Sequence, residues 1–474
     1  MSSIKKNFLY NVVYQLLLIA LPLVTTPYIS RVLGADGVGI HSYSYTVANY
    51  FMLIAMLGVK NHGNRSIAAV RDDPETMSRT FWEIYGLQLL CSTLALGGYF
   101  VFTGVSEPEN RIIFLIQSIY VLTGLLDISW LFFGLEKFKL TVTRNIIIKL
   151  LSLGCIFLLV KTRQDLWKYT LIVVLGTFFS QSYLWLHLKK VVHWTRPSLR
   201  SMTKHLKPEL ILFIPVIAVS LYKMMDKIML RQMSSFAQVG FYENSEKILN
   251  IPTGIITALG TVMLPRMANL AAKSRIEESR RYIRLSMHLA AFLACGMAFG
   301  IAGISQELVP IFLGEEFLPC IVLLQILAPT VVFIAWANVI RTQYLIPNHK
   351  DTSYIISVVL GAVVNLIVNA LLIPSMASTG AAIGTLCAEG AVCLCQSIQV
   401  RKVLPMGRYL WECIPYGLLG GAMLVLLRWI CPMISSPIWS VAAGIAIGGG
   451  AYAMASGACF LRANPSLLGK FKRR

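Results

Sequence analysis

Acidic residues are scarce in this 474-residue chain, with 22 Asp and Glu against 42 Lys and Arg. Charged residues of both signs make up only 14%, and mean hydropathy is +0.67. So little charge excludes an ordinary soluble domain and predicts a polytopic, all-α membrane protein. Several chemical signatures are also missing. There is no GxxxxGKS/T phosphate loop, no HExxH and no GxSxG, so no ATP hydrolysis is expected and any driving force comes from gradients or substrate consumption. No extramembrane stretch is long enough to fold as a catalytic domain, which argues against an enzyme. The ten cysteines lie almost all in apolar runs. Cys387, Cys393 and Cys395 sit close in sequence, but no His completes a site, so neither metal nor cofactor is expected. After the basic start Met1–Lys6 the apolar run continues to about Ile29 without a small-residue cleavage pattern, so no cleavable signal peptide is expected.

What the chain does have is apolar runs. Hydropathy predicts fourteen spans, at 8–30, 41–59, 81–103, 111–134, 145–161, 167–188, 208–231, 245–265, 284–304, 318–341, 354–373, 379–399, 410–430 and 437–461. With the N-terminus inside, thirty-one of the 42 Lys and Arg fall in inner segments and seven in outer ones. That bias predicts a cytoplasmic-membrane protein with both termini cytoplasmic, and only the Lys161–Lys168 loop dissents. It also explains the net charge of +20 without nucleic acid. The outer loops are short and partly acidic, as at Glu107 and Glu109 and at Glu315 and Glu316.

An internal repeat supports a two-part architecture. Placing Gly39 on Gly240 brings Asn49 onto Asn250 and Arg65 onto Arg266 without a gap, and one gap upstream aligns Arg31 with Arg231. His41 then meets Tyr242, and Tyr45 meets Glu246. The expected organisation is two pseudo-symmetric six-helix bundles, 1–190 and 208–402. A basic cytoplasmic linker at 191–207 joins them, and 403–474 adds two further spans and a basic tail.

The intramembrane polar groups are the functional candidates, since a charge near the bilayer centre costs about 2.5–3.5 kcal/mol on insertion scales. Span 7 carries Lys223, Asp226, Lys227 and Arg231, which fall with Ser220 within roughly 140° of arc on one helical face. They read as an anion-binding face tuned by Asp226; a structural Lys223–Asp226 pair with Lys227 and Arg231 snorkelling is the alternative. Arg31 joins them through the repeat. In span 4, Gln117, Tyr120, Gly124, Asp127, Leu131 and Gly134 form one stripe, and Asp127 reads either as a coupling group or as a hydrogen-bonded structural acid. In span 2, His41, Tyr45 and Asn49 recur every four residues. Hydroxyls and rings suit sugar recognition there, and Asn250 repeats Asn49; an interfacial aromatic belt suits Tyr43 and Tyr50 equally. Spans 11 and 12 bring Asn365, Asn369, Thr385 and Glu389 to mid-depth. The asparagines fit helix packing as well as function, whereas Glu389, close to the midplane, reads as a coupling or gating group. Lys149 and His288 lie near the inner face and are expected to snorkel. Gly296–Gly300 and Gly380–Gly384 predict close helix approach. Pro22, Pro27, Pro215, Pro252 and Pro329 interrupt spans in both halves.

Four stretches carry a family resemblance. They are Arg31-Val-Leu-Gly-Ala-Asp-Gly-Val-Gly39, Gly58…Asn61-x-Gly63-x-Arg65, Asp127-Ile-Ser-Trp130…Gly134-Leu-Glu136-Lys-Phe138 and Gln343-Tyr-Leu-Ile-Pro347. Together they resemble a Wzx-type polysaccharide flippase, from the polysaccharide-transporter branch of the multidrug/oligosaccharidyl-lipid/polysaccharide superfamily. The resemblance implies two six-helix bundles around a cavity that alternates between leaflets. It further implies flipping of polyprenyl-pyrophosphate-linked oligosaccharide units for O-antigen, capsule or exopolysaccharide assembly. The implied partners are that lipid-linked substrate, membrane lipids, and a polysaccharide polymerase with its chain-length machinery. Members of the branch often stop at twelve helices. The extra pair resembles lipid II flippases, and a multidrug–cation antiporter would share the fold but usually carries cavity acids.

Overall fold

The computed structural model describes residues 2–105 and 108–463, and among them there are helices and no strand. Glu107 and the basic tail from 464 onward lie outside the described residues. The chain divides into two compact units, Met1–Ile228 and Met229–Arg474.

Unit 1 begins with α1 (Ser2–Met56), whose 55 residues would run about 80 Å if straight, far beyond one bilayer crossing. It breaks at Gly34, with φ 70 and ψ 180, so the Arg31–Gly39 stretch is the turn between two crossings. Gly34 takes that left-handed φ without a Cβ penalty. A second positive-φ glycine, Gly58, turns the chain into the short amphipathic α2 (Val59–Val70). The helices α3 (Pro74–Val105), α4 (Arg111–Leu126), α5 (Ser129–Gly134), α6 (Phe138–Leu159) and α7 (Leu166–Leu188) follow. The α4 helix packs on α1, α3 and α7, while α2 packs on α5 and α6 on α7.

The α8 helix (Leu199–Met233) absorbs the last part of the expected linker and contains the boundary between the units. It bends by 50° between Leu221 and Lys223, so span 7 is not one straight helix. Unit 2 continues with α9 (Phe236–Ala272), α10 (Ile276–Phe312), α11 (Cys320–Ile340), α12 (Asp351–Val400), α13 (Met406–Ile430), α14 (Pro437–Ala443) and α15 (Gly449–Ala463). Like α1, α12 is too long for one crossing, and it breaks at Ala377, with φ 48 and ψ −126.

Among the described residues ten helices are long and apolar enough to cross a membrane, or eleven if the two pieces of α8 count as one span. The breaks in α1 and α12 are compatible with the expected fourteen crossings. Polarity is arranged as a bilayer requires. Leu151, Leu158 and Leu186 are exposed on the flanks of α6 and α7, whereas Gln88, Ser92, Gln117 and Thr123 are buried.

Two local expectations need correction. Span 4 is not a continuous helix, because α4 ends at Leu126 and Asp127 takes φ −76 and ψ 88. The stripe from Gln117 to Gly134 therefore does not share one face. The cause lies in the side chains: Asp127 Oδ1 accepts from the Ser129 amide (3.1 Å) and hydroxyl (2.6 Å), competing with continued helix. His288 does not snorkel. It is buried between α10 and α13, with Nδ1 3.1 Å from the Tyr416 hydroxyl and Nε2 3.2 Å from Glu412 Oε2. Lys149 is exposed and also lines a cavity described below. Gly296, Gly380 and Gly384 mark close approach, whereas Gly300 has only ordinary contact: a Cβ on Gly384 would lie 2.0 Å from Asn369 Oδ1, and one on Gly296 would lie 2.7 Å from the Tyr452 ring.

Candidate functional site

The Gly58–Arg65 and Asp127–Glu136 motifs meet at the α2 end of unit 1. Trp130 is fully buried against Phe81, Ile67 and Phe132, and a Cβ on Gly63 would lie 2.4 Å from its ring. Gly134 also approaches Ile67, with a hypothetical Cβ at 2.9 Å. Gln88 on α3 secures the broken helix. Its amide donates to the carbonyls of Gly124 (2.7 Å) and Asp127 (3.0 Å), and its Oε1 accepts from Trp130 Nε1 (3.0 Å). At the surface, Arg71 pairs with Glu136 at 2.7 Å. These residues build a rigid junction among α2, α3, α4 and α5.

On that junction sits an ion pair that sequence reasoning missed. Lys60 Nζ lies 3.2 Å from Asp127 Oδ2; the carboxylate is 1% exposed and the lysine 59%. A lone acid inside a span calls for a cation, and Lys60, two residues past the Gly58 turn, was the available signal. The pair borders a cavity of about 470 Å³, enclosed by α1, α5, α6 and α7. Its polar wall carries Lys60, Asp127, Arg144, Asn145, Lys149 and Gln181, and its apolar wall includes Leu153, Ile156 and Val173. Arg144 is buried and donates to Asn145 Oδ1 (3.2 Å), which also accepts from the Ser180 hydroxyl (2.7 Å). Three cations against one carboxylate favour an anionic occupant.

The span-2 residues meet protein partners within unit 1. His41 Nδ1 lies 3.1 Å from Thr170 Oγ1, and its ring stacks toward Tyr45 and tilts against Tyr169. Tyr120 joins Tyr45 (3.5 Å) to Asn49, donating to Asn49 Oδ1 at 3.0 Å. Asn49 Nδ2 reaches Met224 Sδ on α8 at 3.2 Å, which brings this stripe next to the charged half of span 7. There Lys223 is exposed, Lys227 half-buried and Asp226 buried. Arg31 is exposed near the Gly34 turn. In unit 2, Arg231 stacks over the Phe236 ring at 4.0 Å, Asn250 is exposed on α9, and Glu389 is half-buried on α12.

Further ionisable groups went unnoticed at the α2 end. His62 Nε2 lies 2.8 Å from His205 Nδ1, and His205 Nε2 lies 3.3 Å from Glu83 Oε2. One turn along α8, Glu209 is fully buried, and neither of its carboxylate oxygens has a hydrogen-bond partner among the described residues.

A family model described as polysaccharide biosynthesis protein matches residues 4–271. The chain is 25% identical over 413 residues to the putative O-antigen transporter of Escherichia coli (strain K12), covering 85% of this chain and 97% of that one. The corresponding figures for the putative O-antigen transporter of Shigella dysenteriae are 25%, 73% and 87%. Among solved structures, lipid II flippase MurJ in an inward closed conformation superposes with TM-score 0.79 at 14% identity, over 96% of this chain and 99% of that one. An inward-facing MATE family transporter of the MOP superfamily superposes with TM-score 0.56 at 14% identity, over 82% and 98%. At such identities the two likenesses speak for the fold alone.

Proposed function

The chain belongs to the polysaccharide biosynthesis protein family, whose model spans residues 4–271, and from that premise we propose a lipid-linked oligosaccharide flippase. In this reading an alternating-access transporter, not an enzyme, moves polyprenyl-pyrophosphate-linked repeat units across the cytoplasmic membrane for surface polysaccharide assembly. Both termini are cytoplasmic, so the α2 end of unit 1 faces the cytoplasm. A polymerase and chain-length machinery act downstream on the flipped product.

The observation that carries the reading is the cation-rich cavity inside a membrane-spanning unit. Lys60, Arg144 and Lys149 stand there against the single carboxylate of Asp127. A cation–drug antiporter needs the opposite balance, because a net positive lining repels its cargo. Arg31, Lys223, Lys227 and Arg231 are proposed anion contacts along the path, and His41, Tyr45, Asn49 and Asn250 proposed sugar contacts. Asp226 and Glu389 are proposed coupling groups. Asp127, being paired, acts in this reading through Lys60. The two-bundle organisation, 1–190 and 208–402, is part of the same proposal.

Deleting the gene and identifying the accumulated lipid-linked species by mass tests this. The flippase reading expects an oligosaccharide repeat unit on polyprenyl pyrophosphate to accumulate, and complementation to clear it. Accumulation of a peptidoglycan precursor instead would reassign the substrate to lipid II. Unchanged lipid pools together with raised drug sensitivity would replace the reading with drug export.

A further inference from the structure

Between Asp165 and Glu209 the chain has no acidic residue, and within that stretch Lys189, Lys190, Arg196 and Arg200 lie close together. The segment carrying them leaves α7 at Leu188 and enters α8 at Leu199 without regular structure. It is a strap laid along the first turns of α3. The His193 amide donates to Ser78 Oγ (3.1 Å), and the His193 carbonyl accepts from Trp82 Nε1 (2.9 Å). Trp194 packs edge-on against the Trp82 ring at 4.4 Å. Beyond the strap Met202 closes on α3, where a Cβ on Gly86 would lie 2.9 Å from its Cε. Trp82 stands near the start of span 3 and Leu188 at the end of span 6, so the strap lies at the level of the lipid headgroups. All four cations are exposed, and none forms an ion pair among the described residues. Other inner-segment arginines meet carboxylates: Arg71 pairs with Glu136, Arg266 and Arg275 with Glu278, and Arg284 with Glu412. Nor do the strap cations line the polar cavity. Beside them Trp194 is 71% exposed and Leu199 77%, apolar surface that water disfavours.

We propose that this strap is a docking surface for acidic glycerophospholipids of the cytoplasmic leaflet. The four cations take the lipid phosphates, while Trp194 and Leu199 sink toward the upper acyl chains. The leaflet follows from the orientation proposed above. A zwitterionic phospholipid offers the same apolar cover without net charge, so discrimination falls to the cations. A soluble anion offers charge but leaves Trp194 and Leu199 in water. The strap is the covalent tie between α7 and α8 and is bonded to α3, so bound lipid holds the start of α8 in place. Nothing here depends on the cargo: an exporter of any other substrate with this strap would bind the same lipids.

Thermal unfolding of the purified full-length protein in detergent tests this, with phosphatidylglycerol, phosphatidylcholine or inorganic phosphate titrated in. Phosphatidylglycerol is expected to stabilise wild type at concentrations about tenfold below those phosphatidylcholine needs, and inorganic phosphate to do nothing. Lys190→Gln, Arg196→Gln and Arg200→Gln together are expected to raise the phosphatidylglycerol midpoint by about tenfold or more. These side chains are exposed and make no ion pair among the described residues, so the triple variant folds. The same charge removed elsewhere, by Lys273→Gln, Arg401→Gln and Lys402→Gln, is expected to move the midpoint by less than about twofold. Trp194→Ala is expected to weaken both lipids and leave their ratio unchanged. Equal stabilisation of wild type by the two lipids overturns the proposal, as does stabilisation by inorganic phosphate that matches phosphatidylglycerol. Equal shifts from the two triple variants would reduce the effect to net charge and overturn it too. So would a Trp194→Ala protein that binds both lipids as wild type does.

Discussion

The two units solve one problem alike and its neighbour differently. In unit 1, His41 on α1 reaches Thr170 on α7. At the equivalent repeat position in unit 2, Tyr242 on α9 reaches Thr385 on α12 at 2.7 Å. Each bond ties together two helices of one unit that lie far apart in sequence. Five turns further on, the units part. Unit 1 breaks its helix at Gly58, breaks α4 at Asp127, and bridges the two breaks with Lys60–Asp127. Unit 2 keeps α9 continuous from Phe236 to Ala272 and places Thr261 where Lys60 would align. Its neighbouring Gly260 lies instead against neutral groups, with a hypothetical Cβ 2.5 Å from Asn338 Nδ2 and 2.9 Å from Thr342 Oγ1. At this position the difference is that unit 1 pairs two helix breaks with an ion pair, where unit 2 has a continuous helix against neutral groups. A broken helix frees backbone groups and turns side chains inward, which suits a partly buried ion pair.

The largest expected effect tests that asymmetry directly. Lys60→Met strands a carboxylate that is 1% exposed. It is predicted to cut glycan export by about tenfold and to destabilise unit 1 by about 1–3 kcal/mol, less than for a fully buried pair because Lys60 itself is open to solvent. Thr261→Ala should be silent. Equal effects on export and melting from the two changes would erase the asymmetry.

In unit 2 the charge cluster lies at one end of α10 and α13, where Glu412 accepts from Arg284 (2.8 Å) and Arg408 (2.8 Å) and meets His288. The cluster holds the extra helices to the bundle, so Glu412→Gln is predicted to cost about 1–2 kcal/mol of stability. Export per folded molecule should stay unchanged. Loss of export at wild-type melting temperature would give this cluster a transport role.

Glu209 offers a gain. Its buried carboxyl has no partner among the described residues, so Glu209→Gln, neutral and of the same shape, is predicted to raise the melting temperature by a few °C, about 1 kcal/mol in free energy. A lower melting temperature would mean that the acid is held by a contact made in another conformation.

The smallest effect lies outside the membrane. Asp73 caps α3, accepting from the Glu75 and Thr76 amides and the Thr76 hydroxyl, with Pro74 at the first helical position. These hydrogen bonds, the Thr76 hydroxyl foremost, hold its pKa below the usual aspartate value. The folded pKa is therefore below the unfolded one, and the contribution is present above the ordinary aspartate range and lost as pH falls through it. Asp73→Ala should lower the melting temperature by no more than about 2 °C at neutral pH. The difference should vanish in acid, and a difference that grew in acid would reverse the sign.

Much of the fold was legible because apolar runs and glycine turns are local facts. Gly34, Gly58 and the Gly63–Trp130 contact all sit within motifs visible in the sequence. The cavity was not legible, since its wall gathers Pro22, Lys60, Asp127, Lys149 and Gln181 from segments far apart in the chain. Counting by loop placed Lys60 and Arg144 among the ordinary inner-face cations, and periodicity treated Asp127 as one step in an unbroken helix. Helical phase presumes a helix, and here the side chain that seemed to ride on the helix is the one that ends it.

Gln88 offers a last consequence, for a saturation scan of single codons. Its side chain must present two N–H bonds to the carbonyls of Gly124 and Asp127 and a lone pair to Trp130, all in a dry interior. Glutamate has the reach but not the donors, asparagine has the donors but is one methylene short, and methionine has the volume but neither. The map of tolerated residues at position 88 should therefore hold a single letter, while its exposed neighbours Leu89 and Leu90 accept any oily substitute.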